Sequence, residues 1–543
     1  MLQHLPTRDK LVIMAATMLG LFVAALDQTV VATALPRMIA DLGGLSLLTW
    51  VITAYTLSST TAVPIFGKLS DLFGRKALFI AGIVLFVAAS AVCGAAQNMP
   101  MLISVRAVQG VGGGMIFANA FALVADLFAP ADRPRWQGLV TGTFGLASVI
   151  GPVVGGLLTD HLSWRWVFYL NLPVGSLAVL ALVRWLPSFR PHESEPQIDY
   201  PGFALLVLIT VPMLLAFNWA GSTYAWDSPV ILGLLAWCGV AAAAFIGHEC
   251  RAAEPVIPMA LFRDPVVAAA MLLSLLVGTA MFASSAFVPL FVQGVLGRSA
   301  SNSGLVMMPQ MVSFVAASLV GGFLVSRLGR YRLVIIAGGG FLSAGTFLLS
   351  RVGPATTSVG IVRDLALIGF GLGLMMPNIT LAVQNVAPYR VMGAATATAT
   401  FLRSTAGTMS VAVMGSLLTQ RIGVEVPKHL SGAVRASLPA AEVQRFSDPQ
   451  VLLDPSQTAR VKAVFDGLGD AGVTLFRDFA EGLRVALAHS LAASFTLAFV
   501  FSLVALAGTF LLRDRALRRA PAAGVPAAAE VPVVEGERVC GGS

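Results

Sequence analysis

About fourteen stretches of the sequence run for roughly 20 residues each with almost no charge, the length that crosses a bilayer as a helix. They fall near residues 11–34, 47–67, 77–97, 101–125, 137–159, 166–186, 202–220, 229–248, 267–292, 303–326, 332–350, 361–386, 392–418 and 486–512. No water is available in lipid to pair a free N–H or C=O, so each run has to be a helix and the fold a helical bundle. Composition agrees: the 543 residues are 57% hydrophobic and 11% charged, with a mean hydropathy of +0.83, against about 25% charged in a soluble domain. A soluble fold of this length could not hide so much apolar surface. The first run lacks a small-residue cleavage site after a short core, and reads as a retained helix rather than a signal peptide.

Loop charge suggests an orientation. With the N-terminus in the cytoplasm, cytoplasmic turns hold Lys68, Arg75 and Lys76; Arg133 and Arg135; Arg184 and Arg190; Arg251 and Arg263; Arg327, Arg330 and Arg332; Arg390; and Arg513, Arg515, Arg518 and Arg519. The opposite turns hold few basic residues, such as Arg37, Arg165 and Arg298. This asymmetry follows the positive-inside rule, puts both termini in the cytoplasm, and accounts for the net charge of +8 without nucleic acid as a partner. Cys93, Cys238, Cys250 and Cys540 show no paired spacing and the six histidines are scattered, so neither a disulfide framework nor a metal site is indicated. Residues 421–485 read as a polar external loop with helix-like pieces at 440–446 and 458–465. Residues 520–543, rich in Ala, Pro, Val and Gly, read as a disordered cytoplasmic tail.

One polar segment occurs twice. Gly67-Lys68-Leu69-Ser70-Asp71-Leu72-Phe73-Gly74-Arg75-Lys76 returns at 322–332, where Gly322, Gly329 and Arg330 keep the places of Gly67, Gly74 and Arg75, and Ser326 replaces Asp71. The repeat implies two similar halves, a mark of one large class of secondary transporters. Read as a turn, the segment needs glycine where two helices cross closely, and Asp71 and Arg75 could pair to latch one conformation.

Asp27 lies inside the first run, where a carboxylate costs a few kcal/mol and is functional by default. At about 1.5 Å per residue it sits roughly 10 Å below the outer end of its helix, and Arg106, in the fourth run, reaches about the same depth. A pair at that depth could bind and release a proton, or serve only as a structural ion pair. Gly112-Gly113-Gly114 lies within a span and follows no strand, so it is not a nucleotide-binding loop. In the fifth run, Gly145, Gly151, Pro152, Gly155 and Gly156 combine a helix bend with a small-residue face for close packing. Membrane enzyme and channel readings fail for want of clustered catalytic groups or a filter-like loop.

Together these residues resemble the major facilitator superfamily, specifically its fourteen-span drug:proton antiporter subfamily. The Gly67 segment is similar to the superfamily's cytoplasmic signature, the Arg106 segment to its fourth-helix motif, and Gly145 to Gly156 to the antiporter motif of exporters. Leu26 to Pro36, Trp164 to Gly175, Ile198 to Gly202, Pro289 to Gln293 and Phe401-Leu402-Arg403 also match that group. The resemblance implies an all-α integral membrane fold: a six-helix bundle over 1–190, two extra helices over 191–264, and a second six-helix bundle over 265–519. It implies a central cavity, for which Asn119, Gln293, Gln310, Asn378, Gln384 and Arg403 are the candidate polar contacts. Asp27 and Arg106 would couple protons, and Gly67, Asp71, Gly74, Arg75 and Lys76 would gate. The thirteenth run offers Arg403 and no acid, and Asp364 lies only at the outer end of the twelfth, which favours lipophilic, neutral or weakly charged solutes, or lipids, over dications. The expectation is a monomeric, non-enzymatic exporter in the bacterial inner membrane, driven by the proton gradient, without cofactor or metal; a non-transporting receptor is the remote alternative.

Overall fold

The computed structural model describes residues 2–515 apart from 44–46, 131, 189–196, 222, 299, 438, 440–441, 443–445, 447–449, 454 and 468–470. The expected tail at 520–543 and most of the piece at 440–446 lie outside the described residues. Fourteen long helices follow in order: α1 (Thr7–Leu42), α2 (Leu48–Phe73), α3 (Arg75–Gly94), α4 (Met99–Leu127), α5 (Arg133–His161), α6 (Asn171–Trp185), α7 (Tyr200–Trp219), α8 (Pro229–Glu249), α9 (Pro265–Leu290), α10 (Ala300–Leu328), α11 (Arg332–Ser350), α12 (Ser358–Val386), α13 (Met392–His429) and α14 (Gly472–Thr509). Starts are set by side-chain caps: Asn98 accepts from Met101 N, Asp199 from Gly202 N and Asp264 from Val266 N, each with proline in the first turn where no donor is missed.

Twelve of these helices are long and apolar enough to cross a membrane. The exceptions are α2 and α13. Both face protein rather than lipid: α2 packs on α4, α13 on α9, and the two on each other. Helices so enclosed can carry the Ser and Thr runs seen in Ser58-Ser59-Thr60-Thr61 and Thr396-Ala397-Thr398-Ala399-Thr400.

The repeat holds in three dimensions. Gly110, Gly112 and Gly114 of α4 press on Tyr55, Phe86 and Ser59; Gly369, Gly371 and Gly373 of α12 press on Gln310, Leu342 and Phe314 in the same places of the second bundle. Helices α7 and α8 pack on each other, and α7 reaches both α2 and α13. Among the described residues there is no strand, only an isolated bridge between Ala220 and Tyr224.

Two expectations need correction. Residues 67–73 are not a turn but the last turns of α2, and only Gly74 breaks the helix, at φ 91°, as Gly329 does at φ 67° in the copy. Glycine marks both a turn and a close helix contact; here Gly67 serves the second use. The polar segment expected at 421–485 is also shorter, because α13 runs on to His429 and α14 begins at Gly472, where water can satisfy their polar faces. Within it, the piece expected at 458–465 is the helix Pro455–Asp466.

Candidate functional site

The buried charge is the centre of the first bundle. Asp27 and Arg106 are each 1% exposed and form an ion pair between α1 and α4. The second carboxylate oxygen of Asp27 accepts from Gln109 Nε2 and from Asn171 Nδ2, both at 3.0 Å. Arg106 also donates through Nε to Val51 O at 3.2 Å and through Nη1 to Gln109 Oε1 at 2.8 Å. Its guanidinium lies 4.4 Å from the Tyr55 ring centre, a cation–π contact that accepts positive charge without a hydrogen bond. Asn171 is held in turn by donating to Ser90 Oγ, which donates to Phe168 O. A buried pair is tolerable when its remaining donors and acceptors are met, as here. Gln109, Asn171, Tyr55 and Ser90 were not identified from sequence as parts of this site. The one local signal was the three-residue spacing of Arg106 and Gln109, which puts them on one helix face.

Arg106 also lines a cavity of about 320 Å³ between the two bundles. Its walls include Phe117, Phe144, Phe282, Phe314, Met281 and Met376, with Gln28, Tyr55, Thr60, Thr141, Thr400 and Ser404 as polar contacts. Of the six candidate cavity residues, only Arg403 is on this wall. Asn119 donates to Met115 O and Asn378 to Leu374 O, each one turn back in its own helix. Gln310 donates to Ser284 Oγ. Gln384 takes a bond from Gln137 at 2.6 Å and donates to Thr396 Oγ1 and Phe121 O, so it ties the bundles together. Gln293 lies in a π-helical segment, Phe291–Val295, beyond the end of α9. An amide in a span finds a helix partner more readily than it stays exposed to a cavity, which accounts for Asn119, Gln310, Asn378 and Gln384 lying off this wall. A second cavity, of about 290 Å³, continues sideways between α2 and α13 to Leu214, Phe217 and Asn218 of α7, sharing Ile52, Thr56, Phe282 and Thr408 with the first.

One end of the cavity is closed where α2 meets α13. Asp71 accepts from the backbone N–H of Gly393 at 3.0 Å and of Ala394 at 2.7 Å, a carboxylate at the start of a helix where the dipole favours it. Arg75 bonds Asp71 at 2.6 Å and Asp126 at 3.0 Å. A Cβ at Gly67 would overlap Ala397. Lys68 bonds Glu254 at 2.7 Å, and Arg390 pairs with the other oxygen of that carboxylate. Burial alone would raise the Glu254 carboxyl; Lys68 and Arg390 outweigh it and hold it below its ordinary value. Lys76 is not in this contact: it donates to Val183 O of α6. In the copy, Gly322 of α10 lies against Pro134 of α5, a second close glycine contact between the bundles, with Ser326 in place of the acid.

The α5 glycines divide by face. A Cβ at Gly151 would overlap Thr29, and one at Gly155 would lie 3.0 Å from Val30 O, so these two set the approach to α1. Gly145 faces Val315 of α10, and Gly156 faces open space. Pro152 lies within the helix, on its exposed side.

The histidines are less scattered than in the sequence. His429 Nε2, at the C-terminal end of α13, lies 3.1 Å from His489 Nδ1 of α14 and 3.3 Å from Glu425, and these three could together hold a metal ion.

The sequence pattern of the Major Facilitator Superfamily matches residues 17–411. The multidrug transporter protein MdtP of Bacillus subtilis (strain 168) is 40% identical over 458 residues, covering 82% of this chain and 84% of that protein. Multidrug resistance protein 3 of the same organism is 35% identical over 455 residues, covering 84% of this chain and 88% of that protein. Among solved structures, the proton:xylose symporter XylE superposes with a TM-score of 0.57 at 12% identity, over 94% of this chain and 97% of that one.

Proposed function

Because the chain belongs to the Major Facilitator Superfamily, we propose that it is a proton-coupled antiporter that exports lipophilic or amphipathic compounds by alternating access. The observation that carries this reading is the double engagement of Arg106, which lines the central cavity and holds buried Asp27 from behind. A solute on Arg106 and a proton on Asp27 act on one ion pair from its two sides, so each alters the affinity for the other, as linkage requires, and antiport takes this coupling as competitive. The likeness to two multidrug proteins supports export of small molecules. With Asp71 and Arg75 at the cytoplasmic end of a protein of the cytoplasmic membrane, as loop charge suggests, the closed seam supports reading this as the outward-facing form.

The sideways cavity favours a second reading of the cargo, an endogenous lipid that enters from the bilayer past α7. The test is efflux from proteoliposomes of the purified protein under an imposed pH gradient, with lipophilic dyes and with labelled lipids. Export that collapses when the gradient is dissipated is the expected outcome; export indifferent to it overturns proton coupling.

A further inference from the structure

Half-buried Arg403 stands apart from the buried cations. Arg75, Arg106 and Lys68 each pair with a carboxylate, and Arg133 donates to the carbonyls of Phe128 and Ala125. Arg403, about a third of the way along α13, faces the central cavity and forms no ion pair among the described residues; its one hydrogen bond there goes to Thr400 Oγ1 in its own helix at 3.5 Å. The described cavity wall contains no Asp or Glu, while both Arg106 and Arg403 contribute to it, and phenylalanines and methionines make up much of the rest. A guanidinium has five donors in a planar fork that matches a carboxylate, phosphate or sulfonate. Holding one without a counter-ion at membrane depth is costly, and an anion from outside the chain relieves that cost.

We propose that the central cavity selects amphipathic anions, with Arg403 binding the acidic head and the phenylalanine and methionine wall binding the apolar body. The anion is either a free organic acid or the headgroup of an anionic lipid. The inference rests on the reading of this cavity as the solute site and deepens it by naming the charge of the solute.

The test uses full-length protein in nanodiscs and a matched set of probes: pyrenebutyrate, its methyl ester, and a pyrenebutyl trimethylammonium salt. Wild type is expected to bind the acid about tenfold to a hundredfold more tightly than the ester, the range of a charge-assisted hydrogen bond, and to bind the cation most weakly. R403Q should lose that preference while keeping ester affinity within about twofold, and R403K, which retains charge but not the fork, should keep part of it. Equal affinity for acid and ester in wild type, or an unchanged preference in R403Q, overturns the assignment. If R403Q does not fold, the wild-type ranking and R403K still decide. Ester binding without acid preference refutes the anion alone; failure of all three probes to compete for the cavity refutes the solute site on which it rests. Comparing phosphatidylcholine discs with discs containing phosphatidylglycerol separates the sources: competition by the anionic lipid in wild type, absent in R403Q, identifies the headgroup, and its absence identifies the free acid.

Discussion

At the scale of residues, the site is one carboxylate shared among three donors. Asp27→Asn keeps the shape but removes the charge, leaving Arg106 buried without a counter-ion. We expect proton-driven export to be lost and the melting temperature to fall, since breaking a buried pair is costly. The double variant D27N/R106Q removes both charges and should recover much of the melting temperature without recovering export, an outcome readable by running thermal unfolding and gradient-driven efflux on all three proteins. Normal coupled export by folded D27N would rule out the proton-carrier role. Asp27 and Arg106 were legible in the sequence because a charge inside an apolar run has few reasons to exist. Asn171 was not, because an uncharged amide serves many ends and its partner is 144 residues away in the chain. Arg403 was legible as a cavity residue, whereas its lack of a partner needed three dimensions.

At the scale of elements, helix approach depends on which glycines lie between helices. Gly151→Ala puts a methyl against Thr29, and we expect a cost of about 1–3 kcal/mol in packing, seen as a lower melting temperature and slower transport. Gly156→Ala, five residues on in the same helix, meets nothing and should be silent within about 0.5 kcal/mol. Equal effects would mean that backbone flexibility, rather than close contact, explains these glycines. Their spacing was visible in sequence, but not which helix each one faces. Spans were visible as apolar runs; their ends were not, because polar residues such as Glu425 and His429 continue a helix once it leaves the lipid.

At the scale of the whole molecule, opening the closed end requires separating α2 from α13. Asp71→Asn weakens a carboxylate-to-helix contact of about 1 kcal/mol, and should change the transport rate about fivefold while leaving probe binding in the cavity nearly intact. Equal loss of binding would place Asp71 in the pocket instead. The Glu254 contact adds a pH dependence of known sign. Its carboxyl is depressed in the closed form, so its contribution is fully present above the ordinary carboxylate value and is lost only as pH falls through the depressed one. Closure measured by spin-label distances across this seam should therefore be flat from about pH 6 to 8 and loosen only in acid. The two-halved plan was readable from the repeated segment, but the bond from Asp71 to the far half was not, since backbone N–H groups leave no mark in a sequence.

Helix α13 starts at the closed seam, carries Arg403 about a third of the way along and ends at His429. Its 38 residues make a rod of about 57 Å against a hydrocarbon core of about 30 Å. Such a rod is a lever arm: a tilt of about 10° at Gly393 swings the far tip by about 10 Å. A sub-ångström event at the seam or at Arg403 is thereby magnified into a displacement outside the membrane, where a fluorophore at the tip could report each transport cycle optically.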